Sequence, residues 1–248
     1  MNSESTAAII EARFSSTRLP GKVMMDICGQ PLLKRIIDRL RLSKKFSKII
    51  LATSTNLADQ QLVDLAISEK INFFRGSEAD VLGRITNAVK KFKVKTIINI
   101  CGDCPLIDPG ILDNAYKIYE MKKNDIVFSG FNIQSYPQGT EVAVYGSNIL
   151  FKVEKEAKDR EFREHTCLYI LKNLEKFKVF NLLAEKVNTM PDLRLQVDFL
   201  EDIKFVREVY KRLLPKFGNR FTIFDIISLI KNNYSLTRIN KNCVEKKI

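Results

Sequence analysis

The 248-residue chain has no apolar run near the roughly 20 residues that cross a bilayer, so no membrane span is expected. Its first residues are polar, carry Glu4 and lack the basic and apolar regions of a secretory leader. A cytoplasmic location is therefore expected. Cysteines are few and odd in number, five in all, and scattered, which argues against a secreted disulfide framework. Cys101 and Cys104 form a C-x-x-C with no second Cys/His pair, half a zinc site at most. A redox pair is the other reading of that motif, and plain core cysteines the favoured one. Repeats, low-complexity linkers and a domain boundary are all missing.

What is there is an ordinary globular composition, 45% hydrophobic and 28% charged, long enough for one sizeable α/β core. The formal net charge is +12. Such an excess suits nucleic acid, an anionic surface or an anionic small molecule. The excess is spread along the chain and densest in residues 231–248. No RNP-like aromatic motif, zinc-finger spacing or basic heptad array accompanies it, so no nucleic-acid partner is expected.

Hydrophobic patterning alternates strand and helix through the first half. Strands are expected at residues 7–10, 48–53, 71–74 and 96–101, with helices at 32–40, 57–66 and 82–92. The second half is less regular. Strands are expected at 125–129, 141–145, 178–183 and 193–197, and helices at 162–174 and 200–214, the last stopping at Pro215. Thr222 and Asp225 have the spacing of a capping box for a final helix. The expected fold class is α/β, a mostly parallel doubly wound (Rossmann-like) sheet with an irregular α+β insertion in the second half. One domain over residues 1–248 is expected, with residues 131–183 as a substrate or dimerisation excursion. Ligands of such sheets bind beyond the carboxyl ends of the strands at the switch point, so the loops after residues 10 and 101 should face the site.

Three segments carry chemistry. Residues 12–22, A-R-F-S-S-T-R-L-P-G-K, follow the first strand. Arg13, Arg18 and Lys22 on a loop with Ser15 and Gly21 suit a polyphosphate, because small residues allow close approach and the cations offset its charge. A solvated basic loop has the same composition. The loop is neither a Walker A nor a dinucleotide fingerprint. Asp103, just past a buried strand and a glycine, can present a hard oxygen to Mg²⁺. It reads equally as a turn residue before Pro105. Asp198 ends one pattern and opens another, and it reads equally as a helix N-cap.

Taken together, six ordered pieces resemble the cytidylyltransferases that activate acidic sugars, the CMP-Kdo and CMP-acylneuraminate synthetases, and most nearly their spore-coat polysaccharide biosynthesis branch. The pieces are A-R-x-x-S-T-R-L-P-G-K, R-G-S-E-x-D-V-L-G-R (residues 75–84), G-D-C-P-L-I-D-P (102–109), Y-P-x-G-T-E-V (136–142), R-E-H-T (163–166) and L-R-L-x-V-D-x-x-E-D (193–202). The resemblance implies transfer of CMP from CTP to a small acidic acceptor, with Mg²⁺ on Asp103 and Asp198. It implies Arg13 and Lys22 on the phosphates, with Ala12, Ser15 and Arg18 in the same loop. Arg75, Gly76, Ser77, Asp80 and Arg84 fall on the nucleotide side. Glu141, Arg163 and His165 fall on the acceptor side, and a homodimer is implied. Three departures stand out: Glu11 where relatives have Gln or Pro, Phe199-Leu200 for Thr-Pro, and Cys167-Leu168 after the R-E-H-T piece. The Kdo branch's S-G-T-D-R piece is replaced by residues 75–84, so Kdo is not the favoured acceptor.

Overall fold

Four apolar strands of the first half come together as one parallel unit. The computed structural model describes residues 5–130 and 133–244. Phe131 and Asn132, at the start of the expected excursion, and the last four residues of the basic tail lie outside the described residues. The elements run β1 (Thr6–Glu11), α1 (Leu32–Leu40), β2 (Lys48–Ser54), α2 (Gln60–Ser68), β3 (Asn72–Gly76), α3 (Val81–Phe92), β4 (Thr96–Cys101) and α4 (Pro109–Lys122). Then come β5 (Ile126–Phe128), β6 (Ala143–Gly146), α5 (Ser147–Glu156), α6 (Arg160–Glu164), α7 (Leu168–Lys172), β7 (Val179–Asn181), α8 (Leu200–Phe217) and α9 (Ile223–Asn232).

The sheet order is β3-β2-β1-β4-β6-β5-β7. β1 pairs in parallel with β2 on one side and β4 on the other, and β6 runs antiparallel to β4. The chain therefore reverses its direction of winding between β1 and β4, and the loops after these two strands lie at the switch point, where ligands of such sheets bind. Strand alternation divides the core into two layers. Ala8, Ile10, Leu51, Ile98 and Ile100 pack with α1, α4, α8 and α9 on one face. Ala7, Ile9, Ile50 and Ile97 pack with α3, α5 and α7 on the other. This is the expected doubly wound α/β architecture.

Local differences have physical causes. α4 and α5 carry no strong periodic signal. α4 is started by Asp108, whose carboxylate accepts hydrogen bonds from the Gly110 and Ile111 N–H groups, with Pro109 at the first helical position. The helix expected at 162–174 is two short helices, broken at residues 165–167 where Thr166 turns inward. Residues 193–197 alternate as a strand does but form only an isolated bridge, Gln138 to Arg194. The segment crosses the strand ends rather than joining the sheet. It is tied by Gln138 N to Leu193 O (2.9 Å), Leu195 N to Gln138 O (2.8 Å) and Val197 N to Asp103 O (2.9 Å). The crossing requires Gly139, with φ +88°, because a Cβ there would lie 2.4 Å from Gln196 N. α8 runs two residues past Pro215 and stops at Gly218. α9 has the expected capping box of Thr222 and Asp225.

Candidate active site

The crevice is built where β1 and β4 end side by side, with Glu11 opposite Cys101. Gly102 lets the two loops meet: its N–H donates to Glu11 O at 2.9 Å, and a Cβ on it would come within 2.7 Å of the Ala12 Cβ. The loop after β1 is held at its base by Asp59, which accepts from Phe14 N at 2.6 Å and from Ser54 N and Thr53 Oγ1 at 2.9 Å. Burial disfavours the Asp59 carboxylate, but these donors outweigh it and hold it below the usual carboxylate range.

Three sequence-distant groups converge there. Lys22 Nζ lies 2.8 Å from Asp103 Oδ2, 2.8 Å from Asp198 Oδ1 and 2.7 Å from Val197 O. Arg18 donates to the same Asp198 oxygen at 2.7 Å, and Arg194 donates to the other at 2.8 Å. Asp198 is 0% exposed. Burial would raise its pKa; Lys22, then Arg18 and Arg194, overcome that and lower it. Burial likewise opposes the charge on Lys22, and Asp103 and Asp198 outweigh it, raising its pKa. Lys22 and Asp198 thus each favour the charged form of the other.

The other expected site residues make contacts of their own, separate from this cluster. Ala12 is buried at the start of the loop. Arg13 sits between Glu78 and Glu164, 3.7 Å from each, and Ser15 donates to Glu78. Ser77 Oγ accepts from Asp80 N, and Asp80 caps α3 through Gly83 N at 2.8 Å. Asp80 also binds Arg163, whose Nε donates at 2.8 Å. That contact docks α6 on the turn before α3. Arg84 is buried and donates to Ser77 O at 2.6 Å, while its Nε has no partner among the described residues. Arg75 and Gly76 are turned to the sheet edge: Arg75 binds the carbonyls of Ser54 and Asn56 and the side chain of Gln60, and the Gly76 carbonyl accepts from Thr55 N. Glu141 accepts from Gln134 Nε2 and Gly139 N, bracing the glycine turn. His165 is exposed at the break between α6 and α7.

Several residues here escaped sequence reasoning. Arg194 and Asp202 orient Asp198: Arg194 Nε lies 3.2 Å from Asp202, and Asp202 accepts from the Asp198 and Phe199 N–H groups. Their four-residue spacing about Asp198 was the available signal. Glu78, paired with both Ser15 and Arg13, stands in the R-G-S-E piece, but nothing local linked it to the first loop. Glu11 stands on the crevice floor, where its Oε1 accepts from Asn99 at 2.5 Å and Thr166 at 3.2 Å. Burial raises its pKa, and those hydrogen bonds and Arg84 only partly offset this.

Comparison with known proteins agrees with this geometry. Residues 7–224 match the family described as Cytidylyltransferase. The chain belongs to that family. Its members are nucleotidyltransferases, and the match spans both aspartates and the whole first loop. The chain is 34% identical over 238 residues to an uncharacterized protein of Methanocaldococcus jannaschii, covering 96% of this chain and 95% of that one. It is 31% identical over 232 residues to the spore coat polysaccharide biosynthesis protein SpsF of Bacillus subtilis, covering 91% and 93%. The structure of a cytidylyltransferase from Leptospira borgpetersenii superposes with a TM-score of 0.88 at 27% identity, covering 98% and 99%.

Proposed function

We propose that the protein transfers CMP from CTP to a small acidic acceptor, a sugar acid or a related anionic metabolite, for surface polysaccharide or glycoconjugate synthesis. The observation that carries this is the convergence of Lys22, Arg18, Asp103 and Asp198 at the β1/β4 switch point. An acceptor oxygen attacks the α-phosphorus of CTP in line, and the bond to pyrophosphate breaks as the new P–O bond forms. The protein's part is positioning and charge neutralisation. Lys22, Arg13 and Arg18 stabilise charge building on the leaving pyrophosphate. Arg13 is poised for this, since its two acidic neighbours at 3.7 Å are loose partners that a phosphate can replace. An acceptor phosphate or phosphonate needs no general base, whereas a sugar hydroxyl does.

The donor set fits a divalent cation. Asp103 and Asp198 each place an oxygen 2.8 Å from one cationic point, the Lys22 ammonium. Mg²⁺ takes one or two carboxylates plus substrate phosphates, so this pair suits it. Held there, Mg²⁺ supplies charge neutralisation to the phosphates. The same reading includes a single domain acting as a homodimer in the cytoplasm. Among the described residues no helix is long and apolar enough to cross a membrane.

The test is pyrophosphate release from CTP and Mg²⁺ with N-acetylneuraminate, Kdo and 2-aminoethylphosphonate in turn. Release with a sugar acid other than Kdo is expected. Release with the phosphonate alone would correct the acceptor class. Release from UTP or GTP in preference to CTP would overturn the reading.

A further inference from the structure

Lys22 has three N–H donors, and the structure uses all three. They go to Asp103 Oδ2, Asp198 Oδ1 and Val197 O, at 2.8, 2.8 and 2.7 Å. As arranged, Lys22 has none left for a phosphate. Contact with a triphosphate therefore requires it to release at least one of these oxygens. The carbonyl of Val197 is fixed by the backbone, whose N–H is tied to Asp103 O. The two carboxylates are side chains and can exchange partners.

The same geometry explains what Lys22 does for the carboxylates. Asp103 and Asp198 reach a common point from two different loops. Two like charges held that close repel strongly unless a cation sits between them. Lys22 is that cation, and it occupies the point that suits a divalent ion. The two cannot share it.

We propose that Lys22 is an exchangeable placeholder for the divalent cation, so that the carboxylate pair admits metal only when a triphosphate draws the ammonium away. This inference rests on the CTP-dependent reading above. It makes metal binding conditional on the β- and γ-phosphates. CTP opens the pair, and CMP, which lacks those phosphates, leaves Lys22 on its carboxylates. Arg18, paired with the same Asp198 oxygen through one nitrogen, offsets part of the charge that the departing ammonium leaves behind.

The experiment uses Mn²⁺ without nucleotide, read by the paramagnetic signal of the free ion and by the thermal midpoint. Wild-type protein should bind it weakly and show little shift. Lys22→Met should bind it at least roughly tenfold more tightly, and its midpoint should fall without metal and recover with it. The double variant with Asp198→Asn should lose the gain, locating the ion on the pair. Lys22→Gln, neutral but still polar, is the second variant should Lys22→Met fold poorly. Equal Mn²⁺ affinity in wild type and both variants would overturn the proposal. So would variants that stay unfolded with Mn²⁺ present, because metal would then not replace what Lys22 supplies. CTP titration of wild-type protein, read by the same midpoint, checks the functional reading separately. Its failure leaves the Mn²⁺ comparison intact.

Discussion

Two buried cations that both hold the loop after β4 show how differently the fold can use a positive charge. Arg39, on α1, is 0% exposed and donates to three backbone carbonyls: Ile107 at 2.6 Å, Asn219 at 3.0 Å and Phe221 at 3.0 Å. It also stacks 4.2 Å from the Phe221 ring centre. Among the described residues it makes no ion pair. Lys22 instead spends two of its three donors on carboxylates. Carbonyls move only with the backbone, so Arg39 is a clamp between the β4 loop and the connection from α8 to α9. Carboxylates carry full charge and turn on side-chain bonds, so the Lys22 cluster can be rearranged by an anionic ligand. Both networks are satisfied as they stand, but one is fixed by the backbone and the other rests on side chains that can exchange partners.

The sharpest way to break this contrast is to remove the carboxylates. Asp103→Asn and Asp198→Asn should each lower turnover by roughly a hundredfold or more, the scale of one lost electrostatic contact at a transition state. Their stabilities should separate. Asp103 is partly exposed and its variant should fold nearly as well as wild type. Asp198 is buried among Arg18, Lys22 and Arg194, so its variant should lose about 2 kcal/mol or more, the cost of leaving buried charge under-compensated. Urea unfolding beside pyrophosphate release reads both. Near-wild-type turnover in either variant at limiting Mg²⁺ would make that aspartate a cap or turn residue only.

Arg39→Ala should do the reverse. Losing a guanidinium shared among three buried carbonyls should cost about 3 kcal/mol, or roughly 6 to 12 °C in a domain of this size. CTP affinity of the folded fraction should stay within about twofold of wild type, since Arg39 is read as structural. A selective loss of CTP affinity would erase the distinction between clamp and cluster.

The smallest effect is expected at Glu11. Burial raises its folded pKa above the usual glutamate value. Stability linked to it is therefore full below the unfolded pKa and is lost as pH rises through the folded one. Glu11→Gln removes that loss. The variant should match or exceed the wild-type midpoint near pH 7 by roughly 2 °C, with the gap closing toward pH 4.5. A variant less stable at pH 7 than at pH 4.5, relative to wild type, would show that the carboxylate is stabilised in place.

The fold was largely legible because its signals are local. Buried parallel strands read as short apolar runs, and β1 to β4 fell within a residue or two of expectation. α1 declared itself by Leu32, Leu33, Ile36, Ile37 and Leu40. α4 and α5 did not: both are weakly patterned, α4 being started by the Asp108 cap and α5 held by packing of Ile149, Leu150 and Val153. Residues 193–197 misled because alternation reports burial on one side, which a segment crossing the strand ends shares with a strand. The site was legible only in part. Lys22 and Asp198 lie 176 positions apart, and nothing in local periodicity joins them. Their link came from the ordered motifs, while the pairings of Glu78 with Arg13 and Arg194 with Asp198 are tertiary. Asp80 was expected with the nucleotide-binding residues and Arg163 with the acceptor-binding ones; the structure pairs the two with each other, a contact no local pattern announces.

The most direct test of the account is the thermal midpoint with CTP, UTP, ATP, GTP and CMP, each with Mg²⁺. Ligand that binds only the folded protein stabilises it by about 2.7 kcal/mol at a hundred times its dissociation constant, a shift of several degrees. CTP should give the largest rise, and CMP a clearly smaller one because it cannot reach Lys22 through β- and γ-phosphates. A larger rise with UTP or GTP, or equal rises with CMP and CTP, would contradict the claim that this crevice is built for the triphosphate of CTP.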